Sequence, residues 1–177
     1  MKKRLVWLIV ATAFLLTVTV GVTFAMLIAS SQPVVNTFTV GNVNITLDET
    51  TGTEYKLSPG VELMKNPTVT VKANSENCWL FVKVEKSTDF DKYCSYSISS
   101  DWANVEGYDG IYCQKVTKSA IDRKYGILKN NRVTVNDTLT EEQLAAISKY
   151  PTLKFTAYAI QSDSFSNPAD AWQNFEQ

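Results

Sequence analysis

Histidine is absent from this sequence of 177 residues, and that one absence removes a wide range of chemistry. There is no H-E-x-x-H zinc motif, no Ser/His or Cys/His nucleophile pair and no imidazole general base. Cysteine is scarce too. Cys78, Cys94 and Cys113 stand alone, without the C-x-x-C spacing of a redox or zinc site. Two of the three have the option of a bridge outside the cell, with one left over, but the reading adopted is small apolar filler within strands. The glycines are isolated turn residues, so neither a P-loop nor a G-x-G-x-x-G fingerprint occurs. No basic run exists beyond the start of the chain, and no internal repeat or low-complexity linker is visible.

The charge balance looks neutral, at −1, but it is uneven. Lys2, Lys3 and Arg4 all precede an uncharged stretch from Leu5 to Val22. Taking those three from the 17 basic residues leaves 14 against 18 acidic ones, a net of −4. A mildly acidic body argues against nucleic acid as a partner. Residues 1–25 have the layout of a targeting segment, with a positive start, an apolar helix-length run and small residues at Thr23 and Ala25 that fit an A-x-A-like cleavage site. Cleavage after Ala25 is the expectation. The alternative is a retained anchor, because the uncharged run continues to Ser31.

The organising stretch of the body is 34–47, VVNTFTVGNVNITL. Its apolar residues alternate in two phases. Phe38 and Val40 are even-numbered, whereas Val43, Ile45 and Leu47 are odd. Successive strand side chains point to opposite faces, so the slip turns the buried set over. Gly41 sits at the slip, where a bulge or a strand changing sheets would absorb it. Residues 26–47 thus read as an exchangeable first strand, kinked in the middle.

Further on, 54–57 is a short strand stopped by Ser58-Pro59-Gly60. Residues 68–73 and 78–86 alternate and are separated by a four-residue polar turn, which predicts a hairpin. A second hairpin is predicted for 102–106 with 111–116. Residues 118–131 read as a loop or a short edge strand, and 132–135 as another strand. Thr140 and Gln143 have capping-box spacing, predicting a helix to about Ser148. The clearest late strand is 153–160, with Leu153, Phe155, Ala157 and Ala159 on one face. Asn167 and Pro168 predict a terminal helix with an Ala171, Trp172, Phe175 stripe. Trp79, Trp102 and Trp172 are expected in the core or in cross-strand pairs, while Tyr108 in the 107–110 turn is expected to be exposed. Asp89, Asp91, Asp101 and Asp109 lack EF-hand spacing and read as solvated loop carboxylates. Many short strands with two short helices predict an all-β antiparallel sandwich, one domain over 26–177.

Several phrases together resemble the TasA/camelysin group of secreted proteins of Gram-positive bacteria. They are Thr37-Phe38-Thr39-Val40-Gly41-Asn42-Val43 behind the leader, Leu57-Ser58-Pro59-Gly60, Lys65-Asn66-Pro67-Thr68-Val69-Thr70-Val71-Lys72-Ala73-Asn74-Ser75-Glu76, Trp79-Leu80-Phe81-Val82-Lys83-Val84, Phe155-Thr156-Ala157-Tyr158-Ala159 and Ala171-Trp172. The N-x-F-x-x-G phrase (Asn36, Phe38, Gly41) lies where that family keeps it. Met26-Leu27-Ile28-Ala29 replaces the family's usual aromatic-rich mature start.

The resemblance implies a jelly-roll-like sandwich, a leader processed by a SipW-type signal peptidase, and a biofilm-matrix fibre. In that fibre the first strand of one subunit, here Val34, Val35, Asn36, Phe38, Val40 and Gly41, completes the sheet of the next. The expected partner is the chain itself or a related matrix subunit, outside the cell in the matrix or at its surface, with contact to membrane only through the leader. A membrane-tethered adhesion module is the alternative. Camelysin has been classed as a metalloprotease, but with no histidine this chain is expected to carry no catalytic residue, metal or cofactor.

Overall fold

The structure is a computed structural model that describes residues 28–30, 36–51 and 54–176. It is an all-β arrangement of short strands in several sheets, with a few short helices. In chain order the strands are β1 (Ile28–Ser30), β2 (Asn36–Val40), β3 (Ile45–Asp48), β4 (Glu54–Lys56), β5 (Glu62–Met64), β6 (Thr68–Val71), β7 (Cys78–Lys86), β8 (Cys94–Ile98), β9 (Ala103–Asn104), β10 (Ile111–Val116), β11 (Arg123–Gly126), β12 (Leu128–Val135) and β13 (Leu153–Gln161). The α-helices are α1 (Phe90–Tyr93), α2 (Glu141–Ala145) and α3 (Pro168–Trp172). The sequence predicts two helices. The third, α1, is a single turn too short to show a period.

The largest sheet runs β2-β13-β7-β10-β9. Two three-stranded sheets, β11-β6-β3 and β5-β12-β8, and the pair β1-β4 make up the rest. Alternation decides the faces of the large sheet. Leu80, Val82 and Val84 of β7 and Leu153, Phe155, Ala157 and Ala159 of β13 share one buried cluster with Ile45, Leu47, Val69, Val71, Val133 and Val135 of the smaller sheets. The opposite face carries Phe81, Ile111, Cys113 and Ile160, which are buried with Ala171 and Trp172 of α3. The smaller sheets are joined at Ile127, whose N–H donates to Pro67 O (3.0 Å) while its carbonyl accepts from Ser99 N (2.8 Å).

The predicted hairpin of 68–73 with 78–86 does not form. β6 pairs with β3 and β11, β7 with β13 and β10, and residues 74–77 carry the chain from one sheet to the other. Both runs alternate because both face the same core, and periodicity reports the face but not the partner. The second predicted hairpin is present as β9-β10. One pair departs from antiparallel order, since β2 runs parallel to β13. A parallel pair needs a long crossover, and here nearly the whole body lies between its two strands.

Both predicted caps are found. Gln143 N–H donates to Thr140 Oγ1 (3.2 Å) and Thr140 N–H to Gln143 Oε1 (2.9 Å), a reciprocal capping box. Asn167 Oδ1 accepts from Asp170 N (2.9 Å), with Pro168 in the first turn of α3. Tyr108 corrects the sequence reading. It is half-buried against the outer cluster, because its turn folds back through a Tyr108 N–H to Val105 O bond of 3.1 Å.

Candidate functional site

The β2 strand forms because Thr37, Phe38, Thr39 and Val40 are β-branched or aromatic. It lies on β13 in parallel register, Asn36 opposite Thr156 through Val40 opposite Ile160. Burial does not hold it there. All four residues from Thr37 to Val40 are exposed, Phe38 by 51% and Val40 by 47%. Among the described residues, what retains it is the main-chain ladder and one ring contact, Phe38 stacked on Tyr158.

The sequence places a turning point at Gly41, and the structure puts the change of sheet there. Strand β2 belongs to the large sheet and β3 to a small one. Gly41 has φ of +85°, in the left-handed region, and a Cβ on it would lie 2.9 Å from Gln161 Oε1. Only glycine meets both demands without strain. Exposure inverts across it, from 47% at Val40 to 2% at Val43.

The chain is gripped immediately after the turn. Lys72 N donates to Asn44 O (2.9 Å), Asn44 N to Ser75 Oγ (3.1 Å), Ser75 Oγ to Asn44 O (3.3 Å) and Glu76 N to Asn42 O (3.1 Å). Ser75 itself is buried. A lightly held strand therefore joins a firmly held one through a single glycine turn.

Of the sequence-predicted residues, Asn36, Phe38 and Val40 lie in β2 and Gly41 forms the turn. Thr23, Ala25, Val34 and Val35 fall outside the described residues. Sequence reasoning misses the receiving strand, Thr156 to Ile160, and above all Tyr158. The available signal is that Leu153, Phe155, Ala157 and Ala159 claim one face, which leaves Tyr158 on the other beside the Trp172 and Phe175 stripe.

Other chemistry is sparse. Glu49 and Lys65 form a buried ion pair, their side chains 4% and 7% exposed, with Lys65 Nζ 2.8 Å from both carboxylate oxygens. Tyr55 OH donates to Glu49 Oε1 (3.0 Å), and burial foremost pushes the Tyr55 phenol up to about 12. This cluster abuts a cavity of about 40 Å³ lined by Leu57, Leu63, Phe90 and Leu153 among others. That is room for a few waters at most, and the pair serves to fix the 49–51 segment and β4.

Cys78, Cys94 and Cys113 are free and buried, and burial pushes the first two thiols up to about 11. Asp91 pairs with Lys86, and Asp101 accepts from Ser99 Oγ. Among the described residues no group of three or more metal-ligating side chains converges, and no helix is long and apolar enough to cross a membrane. Comparison with family models, curated proteins and solved structures finds no match to this chain.

Proposed function

We propose that this chain is a secreted structural subunit that assembles head to tail, β2 of one copy completing the large sheet of the next. The observation that carries the reading is the inversion of burial across Gly41. A strand held by main-chain bonds and one ring contact loses little side-chain burial when it leaves. The edge of β13 that it vacates presents unpaired N–H and C=O groups along five residues, a template for an equivalent strand. The same ladder then forms between chains that formed within one. A head-to-tail contact that does not close by rotation produces a filament.

The phrases shared with the TasA/camelysin group support the same reading, with a jelly-roll-like sandwich body. In it, residues 1–25 form a signal helix shed after Ala25 by a signal peptidase, and the product is an extracellular matrix fibre of this subunit alone or with a related one. The reading assigns no enzymatic role. Deleting residues 26–40 tests it. The truncated protein is expected to fold and to lose polymerisation, and equal polymerisation with and without the segment rejects strand donation.

A second reading, a tethered adhesion module, draws on a polar groove of about 160 Å³ lined by Glu62, Ser95, Ser97, Lys129, Asn130 and Arg132. Asn130 and Asn131 both have left-handed backbones there, at φ of 56° and 54°. Asparagine adopts this backbone more readily than other side chains, and here it accompanies the irregularity in the pairing of β12 with β8. Glycan binding lost on Arg132→Ala, together with recovery of uncleaved protein in membranes, selects this reading.

A further inference from the structure

Tyr158 is the centre of an aromatic group on the outer face of the large sheet. Its ring meets Trp172 edge-on (4.9 Å between centroids, 83°) and Phe175 at a tilt (5.1 Å, 56°), and both of those rings also pack on Phe81. Trp172 and Phe175 come from the last turns of the chain, set by the Asn167 cap and by Trp172 Nε1–H donating to Glu176 Oε1 (3.3 Å). Tyr158 is therefore partly buried against the outer cluster. Phe38 stacks on it as well, at 5.0 Å and 14°.

We propose that Tyr158, backed by Trp172 and Phe175, is a recognition site for one aromatic side chain on an incoming extended strand, and that it fixes the strand's register. The occupant is Phe38 of a second copy of this chain, which rests on the strand-exchange reading above. Phe38 is the one aromatic residue in 34–47. A one-residue slip turns Thr37 or Thr39 toward this position with the opposite face of the strand outward, and a two-residue slip brings Asn36 or Val40 there. None of these stacks on a phenol ring. Main-chain bonds accept any sequence, so the ring contact is what selects this strand in this alignment, as side-chain pockets do wherever a strand is added to a sheet edge. The terminal helix acts as a positioning element, because it walls Tyr158 without touching β2 through any ring contact among the described residues.

The test is hydrogen exchange at amides 37–40 and 156–160 in the full chain, which reads the ladder whether it forms within one chain or between two. Phe38→Ala is expected to speed exchange about three- to tenfold, the range of a single aromatic pair. Tyr158→Ala is expected to do the same, and the double variant no more than the larger single effect. Phe38→Tyr restores protection and Phe38→Leu does not. Additive effects, or full protection in Phe38→Leu, overturn the recognition site. Because Phe38 is exposed, its variants carry the test even if Tyr158→Ala fails to fold. Sedimentation of the same samples separates the two claims. Coupling in a chain that never polymerises overturns the exchange between copies while leaving the ring contact within one chain.

Discussion

Phe38 lies nearly flat on Tyr158, their ring centroids 5.0 Å apart and their planes 14° from parallel. It joins the first strand of the large sheet to the second, although 120 positions separate the two residues in the chain. The same phenyl ring is 51% exposed, so the link is made at the surface rather than in the core. The consequences for assembly can be tested one at a time.

Gly41→Ala sets a Cβ against the Gln161 side chain and forces a left-handed backbone on a residue that resists it. Strain of this kind costs about 1–3 kcal/mol. Chemical denaturation of the purified protein is expected to show that loss. Exchange protection should fall most in β2, since the turn is what aims it at β13. An unchanged midpoint means that the turn is not constrained as described.

Ser75→Ala removes the hydroxyl that both accepts from Asn44 N and donates to Asn44 O. Asn44 N loses its acceptor while Asn44 O keeps its bond from Lys72 N, a net loss of about 0.5–1.5 kcal/mol for the hydrogen bond. The expected result is lower stability of the whole body with increased fraying of 42–44. If Ser75→Ala matches the parent in a denaturant series, the grip lies elsewhere.

Lys65→Met strands the Glu49 carboxylate in a site where, among the described residues, the Tyr55 and Thr51 hydroxyls remain to face it. Breaking one side of a buried pair typically costs about 3–5 kcal/mol. Replacing both partners, Lys65→Met with Glu49→Leu, is expected to recover most of that stability. A double variant as unstable as the single would show that the pair contributes more than its own neutralisation.

Alkaline pH should weaken the fold in a defined window. Burial raises the Cys78 and Cys94 thiols from 9.0 to about 11 and the Tyr55 phenol from 10.0 to about 12. A group whose folded pKa lies above its unfolded value contributes its full stability below the unfolded one, and loses it as pH rises through the folded one. Melting temperature is therefore expected to hold steady to about pH 9 and to decline between pH 9 and 12. The variant Cys78→Ala with Cys94→Ala should decline less steeply over that window, with Cys113 still raised by burial. Iodoacetamide at pH 8 should leave all three thiols unmodified in the native protein and label them in denaturant.

Much of this architecture was legible in the residues themselves. The phase slip at Gly41, the capping box at Thr140 and Gln143, and the inward row on 153–160 all follow from local geometry that the chain states outright. Pairing was less legible. The 68–71 and 78–86 runs are separated by a polar turn that looks like a hairpin, yet they belong to facing sheets, because alternation is the same for either outcome. The parallel docking of 36–40 on 156–160 left no local trace, since the two strands meet only after the body between them has folded. Tyr108 shows the same limit. A ring in a Gly-flanked turn reads as exposed until the outer aromatic cluster is assembled around it.

The central claim is that β2 leaves its own sheet to enter another copy's. Thr37 and Ala157 are register partners, so Thr37→Cys with Ala157→Cys offers a staple across the ladder while the native cysteines stay buried. Filament mass after oxidation of the monomer, compared with the reduced form, measures the claim directly. The account predicts filaments from the reduced protein and monomers from the oxidised one, with growth restored on adding reductant. Oxidised protein that polymerises as readily as reduced would contradict it.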